Sequence, residues 1–459
     1  MPSTFLPSIS NTCSRGALIG GAVCALLLLP VPSQAQPAAT ENPYQQKEPI
    51  PFAFADFSWA PGNKAPSESP LKWGPFTGEV RIDTAYHYSF NRPKDNTIVG
   101  SSEVFRHNEL QATHIGFGGD FFYKNVQARL MTQFGMYSWT TPRNDPSVAR
   151  GQWNLDNAYR YISEAYGGYH INALGGINVQ AGLFMSYVGL WSYYNFDNWT
   201  YQPSFVSSNT PWYFNGARVQ IFLSDKLKIE PWLVNGWQSY GKFNQAPGVG
   251  LQIRWSPTGN FSFFSNQYYG SDTLGTPGRM RVHTDDSVMV KWHDDKKSLF
   301  SKAAASLTVD AGCEYGGGVD CGSQYFVGFM AYQRFWFVSD LFGLTVGGGA
   351  ITNPGRYLVI MPPINGATGF SGTPYFTANP GDRYTAWDTQ VTADYMPKEF
   401  ITFRFEYNHR AANVPYWSGP QGITPTGGNQ GAPGSTVPGW APDLVKTEDR
   451  LTAAMLVRY

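Results

Sequence analysis

Charge is scarce in this sequence. Asp, Glu, Lys and Arg make up 14% of the 459 residues, and 33 basic side chains are balanced by 33 acidic ones. Soluble globular proteins average about 25% charged residues. Without a basic excess the chain lacks the electrostatic footprint of a nucleic-acid binder. Long apolar runs are also missing. Beyond residue 35 no stretch approaches the roughly 18–20 apolar residues of a spanning helix, which excludes a helical membrane protein. Cysteine is rare, at four residues, and the seven histidines are scattered. No Gly-x-Ser-x-Gly elbow and no His-Glu-x-x-His pair is present. These absences predict no catalytic constellation, no metal and no cofactor.

The amino terminus is a targeting segment by its pattern. Arg15 is the only charged side chain before the apolar run 16–29, and Ser33-Gln34-Ala35 supplies small residues after it. A basic start, a short apolar core and a small-x-small exit predict a secretory signal over 1–35, with the mature chain beginning near Gln36. Cys13 and Cys24 leave with that signal. Cys313 and Cys321 remain, close together in a Gly-rich stretch, and an oxidising compartment predicts a loop-stapling disulfide between them.

Aromatic residues (16%) and glycine (49 residues) are abundant instead. Residues 36–75, rich in Pro, Ala, Ser and Gln, predict an irregular periplasmic lead-in, with Phe52, Phe54, Phe57 and Trp59 available to tuck against the folded body. From Glu79 the period becomes two. Val80, Ile82, Thr84, Tyr86 and Tyr88 oppose Arg81, Asp83, Ala85, His87 and Ser89. Successive strand residues point to opposite faces, so one face is apolar and the other polar. One such strand decides nothing, because a soluble sheet alternates too. The pattern recurs in Trp387–Tyr395 against Asp388–Asp394, and in Ile401–Tyr407 against Thr402–Asn408. It recurs again in Leu451, Ala453, Met455, Val457 and the terminal Tyr459. Strand cores follow at 79–90, 109–121, 125–136, 159–170, 176–187, 212–222, 226–237, 247–256, 260–269, 281–292, 299–312, 324–335, 341–350, 385–395, 399–409 and 448–459. Short connections alternate with long ones, the topology of a transmembrane antiparallel up-and-down β-barrel over 76–459 with about sixteen strands, short periplasmic turns and long external loops.

A barrel of this width is too wide for its own side chains to fill. Inward positions therefore predict a lumen lined by Arg81, Asp83, His87, Arg254, Lys291, Asp388, Asp394, Arg404, Glu406, Arg410 and Arg458, and rows of charge set solute preference. The third long loop, 188–211, is crowded with Trp, Tyr, Asn and Ser. It is the expected constriction, through Asp197, Asn198, Trp199, Tyr201, Ser207 and Ser208. Loops 351–384 and 411–446, rich in Gly, Pro, Thr and Asn, are expected outside. Two other readings stay open. The loops plug the barrel and bind a surface partner, or His283 or His409 serves a hydrolase at the rim. The expected partners are outer-membrane lipid and small hydrophilic solutes. An insertion machinery that reads the strand ending at Tyr459 is expected as well, and a homo-oligomer is compatible.

Three elements point to a family. Phe52-Ala53-Phe54-Ala55-Asp56-Phe57-Ser58-Trp59, then Phe196-Asp197-Asn198-Trp199 with Ser208-Asn209-Thr210-Pro211, and Asn235-Gly236-Trp237-Gln238 follow one another between residues 52 and 238, and the likeness covers nearly the whole mature chain. In this set the sequence resembles the OmpL-like β-barrel porin-2 family. The resemblance implies an outer-membrane barrel with a channel role, and it supplies no substrate.

Overall fold

The computed structural model describes residues 51–98, 103–142, 145, 147, 151–242, 244–273, 275–354, 383–423, 441 and 443–459. The expected signal at 1–35, the first part of the lead-in, most of loop 351–384 and residues 424–440 lie outside them.

The described chain is a closed antiparallel barrel of 16 strands. They are β1 (Phe76–Ser89), β2 (Glu109–Tyr123), β3 (Val126–Thr132), β4 (Ile162–Ile171), β5 (Ile177–Met185), β6 (Tyr213–Ser224), β7 (Leu227–Val234) and β8 (Gly248–Thr258). The second half comprises β9 (Phe261–Gly270), β10 (Met280–Asp294), β11 (Phe300–Tyr315), β12 (Tyr325–Phe337), β13 (Phe342–Asn353), β14 (Tyr384–Lys398), β15 (Ile401–Ala412) and β16 (Thr447–Arg458). Each strand pairs with the next, and β16 closes on β1 in the register Arg458↔Arg81 to Arg450↔Ser89. Tyr459 adds a last rung, exchanging backbone hydrogen bonds with Val80. Closure leaves no bare edge, which is the condition for a sheet to survive in hydrocarbon.

The direction of the alternation identifies the solvent. On β15 the apolar Phe405 is 66% exposed, while its neighbour Arg404 is 1% exposed. Phe329, Val391 and Leu451 are likewise exposed, and Thr392, Asn408 and Arg450 are buried. A soluble sheet hides its apolar face. This one presents it outward, as a wall against lipid does.

Element boundaries depart from expectation where the chain leaves the wall. β3 stops at Thr132 because Gly135 takes φ +83°, and a Cβ there would meet the Ala112 carbonyl at 2.4 Å. The chain then enters the helical turn Tyr137–Thr140. β4 begins late because Leu155–Tyr159 forms a second short helix, capped by the Asn154 side chain accepting from the Asn157 N–H. A serine, aspartate or asparagine at that position satisfies a backbone donor that the first helical turn leaves open. Outside the wall, Trp417–Ser418 pairs with Leu444–Val445 in a small sheet. Cys313, on β11, is disulfide-bonded to Cys321.

The lead-in crosses the mouth at the short-turn end of the barrel. Phe57 and Trp59 are buried there, and Phe54 is exposed. The Trp59 indole donates to the Gly259 carbonyl at 3.1 Å. Half-buried Lys64 donates to Thr402 Oγ1 at 2.6 Å and lies over the Phe196 ring. Burial pushes its ammonium down from 10.5 to about 7, with Arg334 and Arg404 adding to the effect and Asp394 and Asp197 opposing it. The undocked lead-in regains the ordinary value. Between about pH 7 and 10.5 the free segment therefore holds a proton that the docked one has shed, so docking tightens as pH rises through that window and is flat below it. A fluorophore on Ser67→Cys should report increasing docking from pH 7 upward. Lys64→Met should remove the dependence, and an unchanged profile in that variant would refute the assignment.

Candidate functional site

The lumen is divided. Residues 188–211 leave β5, run inside the barrel through the short turns Asn195–Asp197 and Phe205–Ser208, and rejoin the wall at β6. Asn195 to Val206 are almost all buried. What holds them is the polar inner face of β12 to β16 and β1.

Arg404 is the centre of that clamp. Its guanidinium donates to the carbonyls of Asn195 (3.1 Å), Thr200 (2.7 Å) and Asn198 (2.7 Å), and pairs with Asp394 at 2.8 Å. Glu406 accepts the backbone N–H groups of Tyr201 (2.6 Å) and Gln202 (3.0 Å). Asp388 accepts those of Phe205 (2.9 Å) and Gly349 (3.0 Å). Asp83 accepts from the Asn195 amide at 2.8 Å and the Tyr201 hydroxyl at 3.1 Å. Arg410 reaches the Pro203 carbonyl at 2.8 Å, and Arg458 and Arg81 both meet Asp197, at 2.9 and 3.0 Å. A loop without regular structure leaves its backbone groups unpaired, and burying them costs free energy unless partners are supplied. Charged wall residues supply them here. Room comes from glycine. A Cβ on Gly349 would meet the Ser204 hydroxyl at 2.5 Å, and one on Gly328 would meet Val206 at 2.9 Å.

The opposite wall is left open. Between the loop and β5 to β9 lies a cavity of about 360 Å³, lined in part by Trp191, Arg218, Lys228, Glu230, Gln252 and Arg254. A second cavity of about 990 Å³ lies under the lead-in at the short-turn mouth. Asn63, Asn198 and Arg254 line both.

The inward charges named from the sequence thus take two positions. Arg81, Asp83, Asp388, Asp394, Arg404, Glu406, Arg410 and Arg458 grip the loop or one another. His87 is buried beside them, 2.9 Å from Thr452 Oγ1 and against the Tyr201 ring. Arg254 faces the open side. Lys291 pairs with Asp294 at 2.5 Å and lies 5.9 Å from the centre of the Trp59 ring. In the loop, Asp197, Asn198, Trp199 and Tyr201 are buried, while Ser207 and Ser208 are half-buried. Ser207 faces the cavity. Burial, with the Asp83 carboxylate nearby, pushes the Tyr201 phenol well above its ordinary value, so it stays a neutral donor. His283 lies 2.5 Å from Asp310 on the inner wall, and His409 lies 2.8 Å from Asp449 on another strand. The two histidines do not share a site.

Sequence reasoning missed Arg334, Gln202, Arg218, Lys228 and Glu230. Arg334 donates to the Trp199 carbonyl at 3.2 Å and pairs with Asp394 at 2.8 Å. Lys228 and Glu230 form an ion pair. Extending the alternation along β7 marks Lys228, Glu230 and Trp232 as one face, so that pair was legible.

Among solved structures, three similar folds are OmpT of Vibrio cholerae in its trimer form, the outer membrane channel DcaP of Acinetobacter baumannii and an anion-selective porin from Comamonas acidovorans. They are 9%, 11% and 9% identical, cover 84% of this chain and 99%, 97% and 99% of their own, and each superposes with a TM-score of 0.47. Comparison with curated proteins finds no match. The family model described as "Putative beta-barrel porin-2, OmpL-like" matches residues 75–437. That match spans β1 to β15 and the lumenal loop, and the chain therefore belongs to the OmpL-like β-barrel porin-2 family, porin-type barrels of the bacterial outer membrane.

Proposed function

We propose that the barrel passes small hydrophilic solutes along the side of the lumen that the loop leaves open. The path runs from the external side into the cavity beside β5 to β9, past Asn63, Asn198 and Arg254, and out beneath the lead-in. The observation that carries this reading is the one-sided packing of loop 188–211. It lies clamped to β12–β16 and β1, and two cavities that share Asn63, Asn198 and Arg254 in their linings lie beside it. No chemical step is part of the reading, and the terminal strand ending at Tyr459 serves insertion. Purified protein in a planar bilayer should show discrete openings of small conductance. Silence at all voltages and salt concentrations would refute it.

A second reading, a surface-binding barrel plugged by its loops, draws on the complete burial of Arg410 and Arg450 within the lumen. Deleting 355–382 and 424–440 separates the two. A channel keeps conducting, whereas a binder loses its partner while still inserting.

A further inference from the structure

We propose that Arg254 is an anion-binding residue at the junction of the two cavities, taking the carboxylate of a small organic monoacid as it passes. The inference rests on the channel reading and adds a solute class to it.

The first observation is one of charge. Among the described residues every other arginine turned into the lumen lies within 4.0 Å of a carboxylate. Arg254 has none. Its Nε reaches only the Ser256 hydroxyl, at 3.4 Å. The nearby cation Lys228 is committed to Glu230 and to Gln252 Oε1. An uncompensated guanidinium on a narrow wall sets up a field that favours anions, and charged side chains in a pore set its ion preference.

The second observation is one of place. Arg254 is half-buried and borders both cavities, together with Asn63 and Asn198. Asn198 is already committed, its amide donating to the Ser192 carbonyl and its oxygen accepting the Ser192 N–H. Asn63 donates to the Phe57 carbonyl. The junction thus offers one charged donor fork among neutral groups. Guanidinium matches carboxylate geometry with two parallel hydrogen bonds, which an ammonium cannot do.

The third observation is the aromatic surround. The guanidinium carbon lies 3.9 Å from the centre of the Phe52 ring, 5.2 Å from Phe57 and 5.4 Å from Phe264. Cation–π contacts orient the fork without neutralising it. The same rings give an apolar surface to the body of an acid whose carboxylate is held. Benzoate, whose apolar body can lie against the rings, fits this pairing better than acetate, chloride or a polyanion.

The test uses the full mature protein. In a bilayer with a KCl gradient, the wild type should give a reversal potential on the anion side, and benzoate should reduce chloride current at a concentration where acetate does little. Arg254→Gln should keep conducting, lose the anion preference several-fold and lose the benzoate effect. Arg254→Lys should keep the preference and weaken the benzoate effect. Benzoate binding in detergent micelles, followed by saturation-transfer NMR, supplies a readout independent of conduction. Wild-type binding that disappears in Arg254→Gln supports the assignment even in a silent barrel, where only the channel reading fails. An unchanged reversal potential together with unchanged benzoate binding in Arg254→Gln overturns it.

Discussion

Replacing Arg404 with alanine should free the lumenal loop and raise the single-channel conductance several-fold. One guanidinium holds three loop carbonyls and Asp394, and all of these groups are buried. Removing one partner of a buried ion pair costs about 3–5 kcal/mol, because the other charge is left uncompensated. Here Asp394 keeps Arg334 at 2.8 Å, so the loss falls mainly on the loop carbonyls. The wall itself should survive, since its strands are held by backbone ladders in which the Arg404 side chain takes no part. The expected result is a wild-type resistance to heat on a gel, larger openings, and new proteolytic cleavage within 188–211. Equal conductance in wild type and Arg404→Ala would show that the loop holds its place without this residue.

Trp59→Ala should release the lead-in from the short-turn mouth. The side chain is 1% exposed, and its indole donates to the Gly259 carbonyl. Its backbone carbonyl accepts from the Trp199 indole at 2.9 Å, which ties the lead-in to the loop. Truncating a buried tryptophan costs about 3–5 kcal/mol. That exceeds what a segment without strand pairing across the mouth can absorb, so residues 51–67 should become cleavable by protease. Openings should also become noisier as the segment comes and goes. Protection equal to wild type would place the anchor elsewhere, in Phe57 or Lys64.

These two experiments address parts of the molecule that differ in how far sequence reveals them. The barrel is legible along the chain. Lipid outside and polar groups inside impose a period of two on each strand, and the pattern is local, so residues 401–407 or 451–459 display it without knowledge of their neighbours. Ends of strands were less legible. At Gly135 and Asn154 a positive φ and a helix cap compete with the alternation, and the chain leaves the wall earlier or joins it later than the pattern predicts.

Composition alone marked 188–211 as the loop of interest, because stiff aromatics mixed with amides and hydroxyls do not suit a free linker. The alternation also set aside a row of inward charges on β14, β15 and β1. Which charge meets which group belongs to the tertiary structure. Arg404 and the Asn195 carbonyl are 209 residues apart in the chain, and only closure of β16 on β1 brings Arg81 and Arg458 to the same Asp197. Periodicity reports which face a side chain occupies, whereas ion pairing depends on distances across the cylinder. For that reason the sequence by itself determined a lipid-facing barrel with a charged interior, and the three-dimensional arrangement decided that most of those charges grip a loop while Arg254 faces open space.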